Sequence, residues 1–297
     1  MISKPNNCIG DVHFLIHANE HSVPIAELSL KYFDRYIGLD RINISVMSNR
    51  FPTPRYLEHT DKVNYISGDV EYKDSGHHYN ATITNALSAI KERYIFMFCE
   101  DYILTERIDL DALYRMVNLI DEQNIDILSF SSFLTRQSGM KFNVFEHSTK
   151  YGFKEDDLLW TDKKHMHIYS VQPCIWRKSA LEEIVKYNPN MTIHHLDTAH
   201  ICDKKGRFRN FDGSKGICGY SDWPVPEDEY NLKALCTSHT IFDYGYPSEH
   251  FIISYIEILR RGRFHQGLGE ANWVHKKMMQ IIDEQGLSTK DRYTRYF

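Results

Sequence analysis

Glu100 and Asp101 are the residues best suited to do chemistry. They follow a five-residue apolar run, Tyr94-Ile-Phe-Met-Phe98, bounded on its other side by Lys91-Glu92-Arg93. Adjacent carboxylates are poor packing material, but they supply the oxygen donors that a hard divalent cation takes. A hydrated cation there would neutralise the phosphate oxygens of a nucleotide. The plainer alternative is a pair that caps a strand and meets water. His77, His78, Asn80 and Asn85 form a second group, at or near the start of a predicted helix. Helix N-termini favour phosphate oxygens, although capping would serve His77 or Asn80 equally well. In a third group, His194, Asp197 and His200 are spaced three apart. On a helix they would share a face able to bind zinc or iron, but a chain with 16 histidines produces such clusters by chance.

These residues need elements to position them. An unbroken apolar run such as Tyr94 to Phe98 reads as a strand buried on both faces, the kind found in parallel sheets. Its carboxyl end is where open α/β sheets bind ligands. Upstream, Val12-His-Phe-Leu-Ile-His17 is a first strand leading to the polar residues Ala18-Asn-Glu-His-Ser22. Residues 24–36 have apolar positions at helical spacing, with Pro24 in the first turn and Gly38 as the stop. Strands follow at 42–47 and 63–66, then a helix over 77–91 feeding the central run. This order is the opening half of a nucleotide-binding α/β sheet with right-handed crossovers. Further on, 109–123 is an amphipathic helix, 126–130 a strand, and 135–164 a long polar loop or lid. A strand at 169–176, a helix at 178–187, a strand-like segment at 251–259 and a terminal helix at 273–284 complete the pattern.

Composition narrows the classes. A chain of 297 residues with 42% hydrophobic and 25% charged residues can bury a large core. The net charge of −5 argues against sequence-independent nucleic-acid binding, which needs a basic face. The first residues are polar, and no stretch approaches the ~20 apolar residues of a membrane helix. Cys8, Cys99, Cys174, Cys202, Cys218 and Cys236 include no C-x-x-C pair and read as reduced thiols, so the expected setting is cytoplasmic.

Three stretches, taken in order, resemble nucleotide-sugar-dependent glycosyltransferases of the GT-A fold, of the family-two type. They are the turn, helix, strand and acidic motif from Ser75 to Leu104; Ser170-Val-Gln-Pro-Cys-Ile-Trp-Arg-Lys178 with Asn188-Pro189 downstream; and Ile258-Leu-Arg-Arg-Gly-Arg263. The acidic motif of that family is usually Asp-x-Asp. Here it is Cys99-Glu100-Asp101, so the last carboxylate is the one carried over.

The resemblance implies a single α/β domain over 1–297, with a mixed, mostly parallel central sheet flanked by helices. A nucleotide-sugar half at about 10–130 would precede an acceptor half at about 131–297. Mn2+ or Mg2+ would sit on Asp101, helped by Glu100, under a UDP- or GDP-sugar. His17, Asn19, Ser48 and Asn49 would surround the base and ribose, or else be loop residues in water. Arg263, with Arg260 and Arg261, would meet the diphosphate or form a solvated basic strand end. Asp197 is the candidate general base for a sugar, lipid-linked or protein acceptor, with Asp203 in reserve. Two alternatives stay open: a non-catalytic nucleotide-sugar-binding protein of the same fold, and a metallohydrolase built on His194, Asp197 and His200.

Overall fold

The computed structural model describes residues 8–51, 57, 59–71, 79–130, 143–155, 157–160, 173–187, 232–237, 255–257, 259–260, 263–264 and 273–286. Four parallel strands form one half of the sheet: β1 (Val12–His17), β2 (Asn43–Ser48), β3 (Asn64–Ser67) and β4 (Tyr94–Cys99). β1 lies between β2 and β4, and β3 is outermost beyond β2. The other half contains β6 (Ile127–Ser129), β7 (Asn143–Val144), β8 (Leu158–Trp160), β9 (Cys174–Arg177) and β10 (Ala234–Thr237). The nine strands run in the order β3-β2-β1-β4-β9-β6-β10-β8-β7. β9 is antiparallel to both its neighbours, as is β8. The remaining strands all share one direction, so the sheet is mixed and mostly parallel, as expected.

The helices are α1 (Val23–Tyr36), α2 (Tyr79–Ala89), α3 (Leu110–Glu122), α4 (Lys178–Tyr187) and α5 (Trp273–Glu284). Among the described residues no helix is long and apolar enough to cross a membrane. α1 ends at Gly38, whose φ of +87° suits a residue without a Cβ. α3 starts on Asp109, whose side chain accepts the Ala112 N–H at 2.9 Å. Asp109→Ala is expected to cost about 1 kcal/mol in urea unfolding. Asp109→Asn should recover most of that loss.

Three expectations are refined. First, the run at 94–98, read as the kind of strand found in parallel sheets, is parallel to β1 along one edge and antiparallel to β9 along the other. An apolar run reports burial on both faces and carries no information on the direction of the neighbour. Second, part of the polar stretch 135–164 belongs to the sheet as its edge strand β7 and the adjoining strand β8. Pieces of two and three residues are too short to show alternation. Third, the strand-like 251–259 contains two pieces with different partners. Its β11 (Tyr255–Glu257) pairs with β5 (Tyr102–Leu104), and its β12 (Leu259–Arg260) forms a hairpin with β13 (Arg263–Phe264).

Side-chain alternation divides the parallel half into two unlike faces. Phe14, Phe96 and Phe98 share one face with Phe33 of α1 and with Phe130, at ring separations of 4.5–6.4 Å. The other face holds His13, Leu15 and His17 of β1 beside Met97 and Cys99 of β4.

His13 lies at the amino end of that second face. Its Nδ1 is 3.1 Å from Glu92 Oε2 and its Nε2 is 2.7 Å from Ser45 Oγ. A carboxylate only accepts, so Nδ1 carries the proton and Nε2 accepts from the Ser45 hydroxyl. Burial pushes the imidazole below its ordinary 6.5, with Glu92 opposing. The unfolded chain therefore takes up this proton first, and the contribution of His13 is lost as pH falls from about 6.5 through the lower folded value. Urea midpoints between about pH 7 and pH 5 should accordingly fall less steeply in His13→Gln than in the wild type.

Candidate functional site

The carboxyl ends of β1 to β4 share one rim, and their loops are knitted together. Ala18 N–H donates to Met47 C=O at 2.9 Å, Gly68 N–H to Ser48 C=O at 2.8 Å, and Glu100 N–H to His17 C=O at 3.0 Å. Gly68 allows the end of β3 to approach α2 closely. A Cβ there would stand 2.5 Å from Thr82 Oγ1 and 3.1 Å from Thr82 Cα.

Glu100 and Asp101 occupy the turn between β4 and β5, and both are 0% exposed. The segment is held on both sides. The β1–β4 ladder runs up to it, and beyond it the Ser29 hydroxyl of α1 donates to Tyr102 C=O at 3.1 Å while β5 pairs with β11. Cys99 is also buried, and one ligand atom from each of Cys99, Glu100 and Asp101 lies within 4.8 Å of the others. Taking adjacent carboxylates out of water costs several kcal/mol per ion unless something offsets their charge. A rigid cluster of this donor set fits a divalent cation.

The other candidates divide. His17 ends β1, is fully buried, and meets the Tyr79 ring edge-on at 4.8 Å. Asn19 shapes its own turn, its amide oxygen accepting the N–H groups of His21 and Ser22 at 2.8 and 3.0 Å. Ser48 donates to Arg50 C=O at 2.7 Å. Asn49 staples three loops: its oxygen accepts Glu20 N–H at 2.8 Å, and its amide donates to Glu20 Oε2 at 3.0 Å and Val70 C=O at 3.1 Å. Asn80 is in the first turn of α2 and donates to Val185 C=O of α4 at 3.4 Å. Asn85 is exposed and donates to Ser67 C=O at 3.0 Å, bridging α2 to the end of β3. The backbone of Arg263 lies in β13. His77, His78, His194, Asp197, His200 and Asp203 lie outside the described residues. The structure thus brings His17, Asn19, Ser48, Asn49, Glu100 and Asp101 to one rim.

Two residues at this rim escaped the sequence reading as site residues. Cys99 was seen only as a departure from a motif, and Tyr79 only as a helix residue. Tyr79 is 0% exposed, and burial raises its phenol well above the ordinary 10, with the Cys99 and Cys174 thiols adding to the effect. Its hydroxyl has no hydrogen-bond partner among the described residues. The register could have signalled Cys99, because it stands directly opposite His17 at the end of the β1–β4 ladder.

A parallel half-sheet with buried carboxylates at its carboxyl rim places the chain among mixed α/β folds that bind ligands there. No protein-family model matches the chain, and no curated protein matches it. Among solved structures it is similar to the mannosyltransferase PcManGT from Pyrobaculum calidifontis in complex with GDP-Man and Mn2+, with a TM-score of 0.39 and 11% identity over 64% of this chain and 50% of that one. It is also similar to S. aureus TarS in complex with UDP-GlcNAc, with a TM-score of 0.37 and 15% identity over 58% of this chain and 47% of that one. For an active-site mutant of LgtC the TM-score is 0.38 and the identity 10%, over 92% of this chain and 95% of that one. The chain spans about half the length of the first two. Likeness at this level assigns no activity, and the site's chemistry stands on its own atoms.

Proposed function

We propose that the chain is a metal-dependent, hexosyltransferase-type glycosyltransferase acting in the cytoplasm. It would move a sugar from a UDP- or GDP-sugar to a hydroxyl of a sugar, lipid-linked or protein acceptor. One observation carries this reading: Glu100 and Asp101, both fully buried, sit with Cys99 in a cluster at the shared rim of four parallel strands. That is where a donor's diphosphate would be met.

Asp101 and Glu100 would hold Mn2+ or Mg2+, and the ion would offset the charge that builds on the departing diphosphate. The chain's own residues have separate tasks. The Asn49 staple and the Asn19 turn fix the loops that would flank base and ribose, with His17 beneath them. His77, Asn80 and Asn85 would line the phosphate side of α2, and Arg263 would approach from the C-terminal side. Asp197 would accept the proton of the acceptor hydroxyl. Residues 10–130 would form the donor half and 131–297 the acceptor half.

Titration with UDP and GDP, with and without Mn2+, tests the proposal when paired with an assay for slow donor hydrolysis. The reading expects metal-dependent binding and turnover. Binding without turnover would make the chain a non-catalytic nucleotide-sugar-binding protein. A purified chain that retains zinc, and loses it on His194→Ala, would favour the metallohydrolase.

A further inference from the structure

We propose that the cation site is a mixed sulfur and oxygen site, with the Cys99 thiolate as a third protein ligand beside Glu100 and Asp101. The site would therefore take thiophilic divalent ions such as Cd2+, Co2+ or Zn2+ in preference to Mg2+. This rests on the reading above, that the turn after β4 holds a divalent cation.

Three observations converge on Cys99. Its sulfur belongs to the cluster whose ligand atoms lie within 4.8 Å of one another, so one ion could reach all three side chains after small rotations. It is the last residue of β4 and is only 4% exposed, outside any disulfide and fixed in register opposite His17. A ligand on a paired strand is held more firmly than one on a loop. Third, Tyr79 packs edge-on against His17, the register partner of Cys99, at 4.8 Å, is fully buried, and its hydroxyl has no hydrogen-bond partner among the described residues. A buried hydroxyl left without an acceptor is destabilising. A thiolate or an ion-bound water at the cluster would give it an acceptor.

The donor set then decides selectivity. Carboxylates and water suit Mg2+ and Mn2+, whereas thiolates favour softer ions. Mg2+ gains little from sulfur and demands near-ideal octahedral oxygen geometry. Cd2+, Co2+ and Zn2+ gain a strong bond from the same atom.

The test is titration of the metal-free full chain with Cd2+ and Co2+, reading the ultraviolet sulfur-to-metal charge-transfer band, alongside Mn2+ binding followed by its spin-resonance signal. The wild type should develop a saturable band that Cys99→Ser and Cys99→Ala both lack, with Asp101→Asn weakening it. Cys99→Ser should weaken Cd2+ at least about tenfold more than it weakens Mn2+. The two cysteine variants control for each other's folding, since one adds a hydroxyl and the other leaves a small void. A band that persists in both variants, or its absence from a wild type that still binds Mn2+ through Asp101, overturns the sulfur ligand and leaves the cation site standing. Failure of every ion to bind the wild type removes the site itself, and this inference with it.

Discussion

Asp101→Asn should abolish the Mn2+-dependent part of nucleoside diphosphate binding and lower donor turnover by about 10²- to 10³-fold. The substitution keeps size and hydrogen-bonding capacity but removes the charge that would hold the ion. Asp101 is fully buried in a turn fixed by β4 and β5, so its carboxylate is placed by the scaffold itself. A fold-level readout accompanies the kinetic one. At about 100 times its Kd, a ligand that binds only the folded state stabilises it by about 2.7 kcal/mol. Mn2+ should therefore raise the thermal midpoint of the wild type and not that of the variant. Mn2+-dependent capture that survives in Asp101→Asn would refute the proposed role of this turn.

Phe96→Ala should cost about 3–5 kcal/mol, read from urea or guanidinium unfolding. Phe96 is fully buried in the middle of β4, and its ring meets Phe14 at 5.2 Å, Phe98 at 4.5 Å and Phe130 at 5.1 Å. These partners come from β1, from β4 itself and from the residue that follows β6, so no single element can collapse into the void. Against a total stability of about 5–15 kcal/mol, that loss brings the chain close to unfolding. Phe96→Leu keeps most of the volume and should cost much less. If the two substitutions cost the same, the aromatic cluster is not packed as described.

Much of the parallel half was legible in the sequence because burial on both faces leaves an unbroken apolar run. β1 and β4 show that signature, and α1 and α3 show helical spacing with Pro24 and Asp109 at their starts. The second half was harder to read. Leu158-Leu-Trp160 and Ala234-Leu-Cys-Thr237 are short strands whose pairing depends on residues far away in the chain. Nothing local in either segment could identify its partner. At the site, residue type located the rim but did not settle what each residue does there. Asn19 and Asn49 follow β1 and β2, and their amide oxygens accept from loop backbone N–H groups. Polar residues after strands are equally suited to closing a turn and to meeting a ligand. Cys99 was overlooked for a different reason: a cysteine ending an apolar run reads as part of the strand until its register partner is known.

The direction of β9 has a consequence for how the chain can change. β9 enters the sheet beside β4 and passes directly into α4, and the next described strand of the sheet is β10, on the far flank of β6. The two described ends of the connection, Tyr187 of α4 and Ala234 of β10, are therefore both built into one scaffold. Closing a longer excursion between fixed ends costs only about 0.6 kcal/mol for each doubling of length. Evolution can thus refit this span to new partners while the acidic turn a few strands away stays as it is.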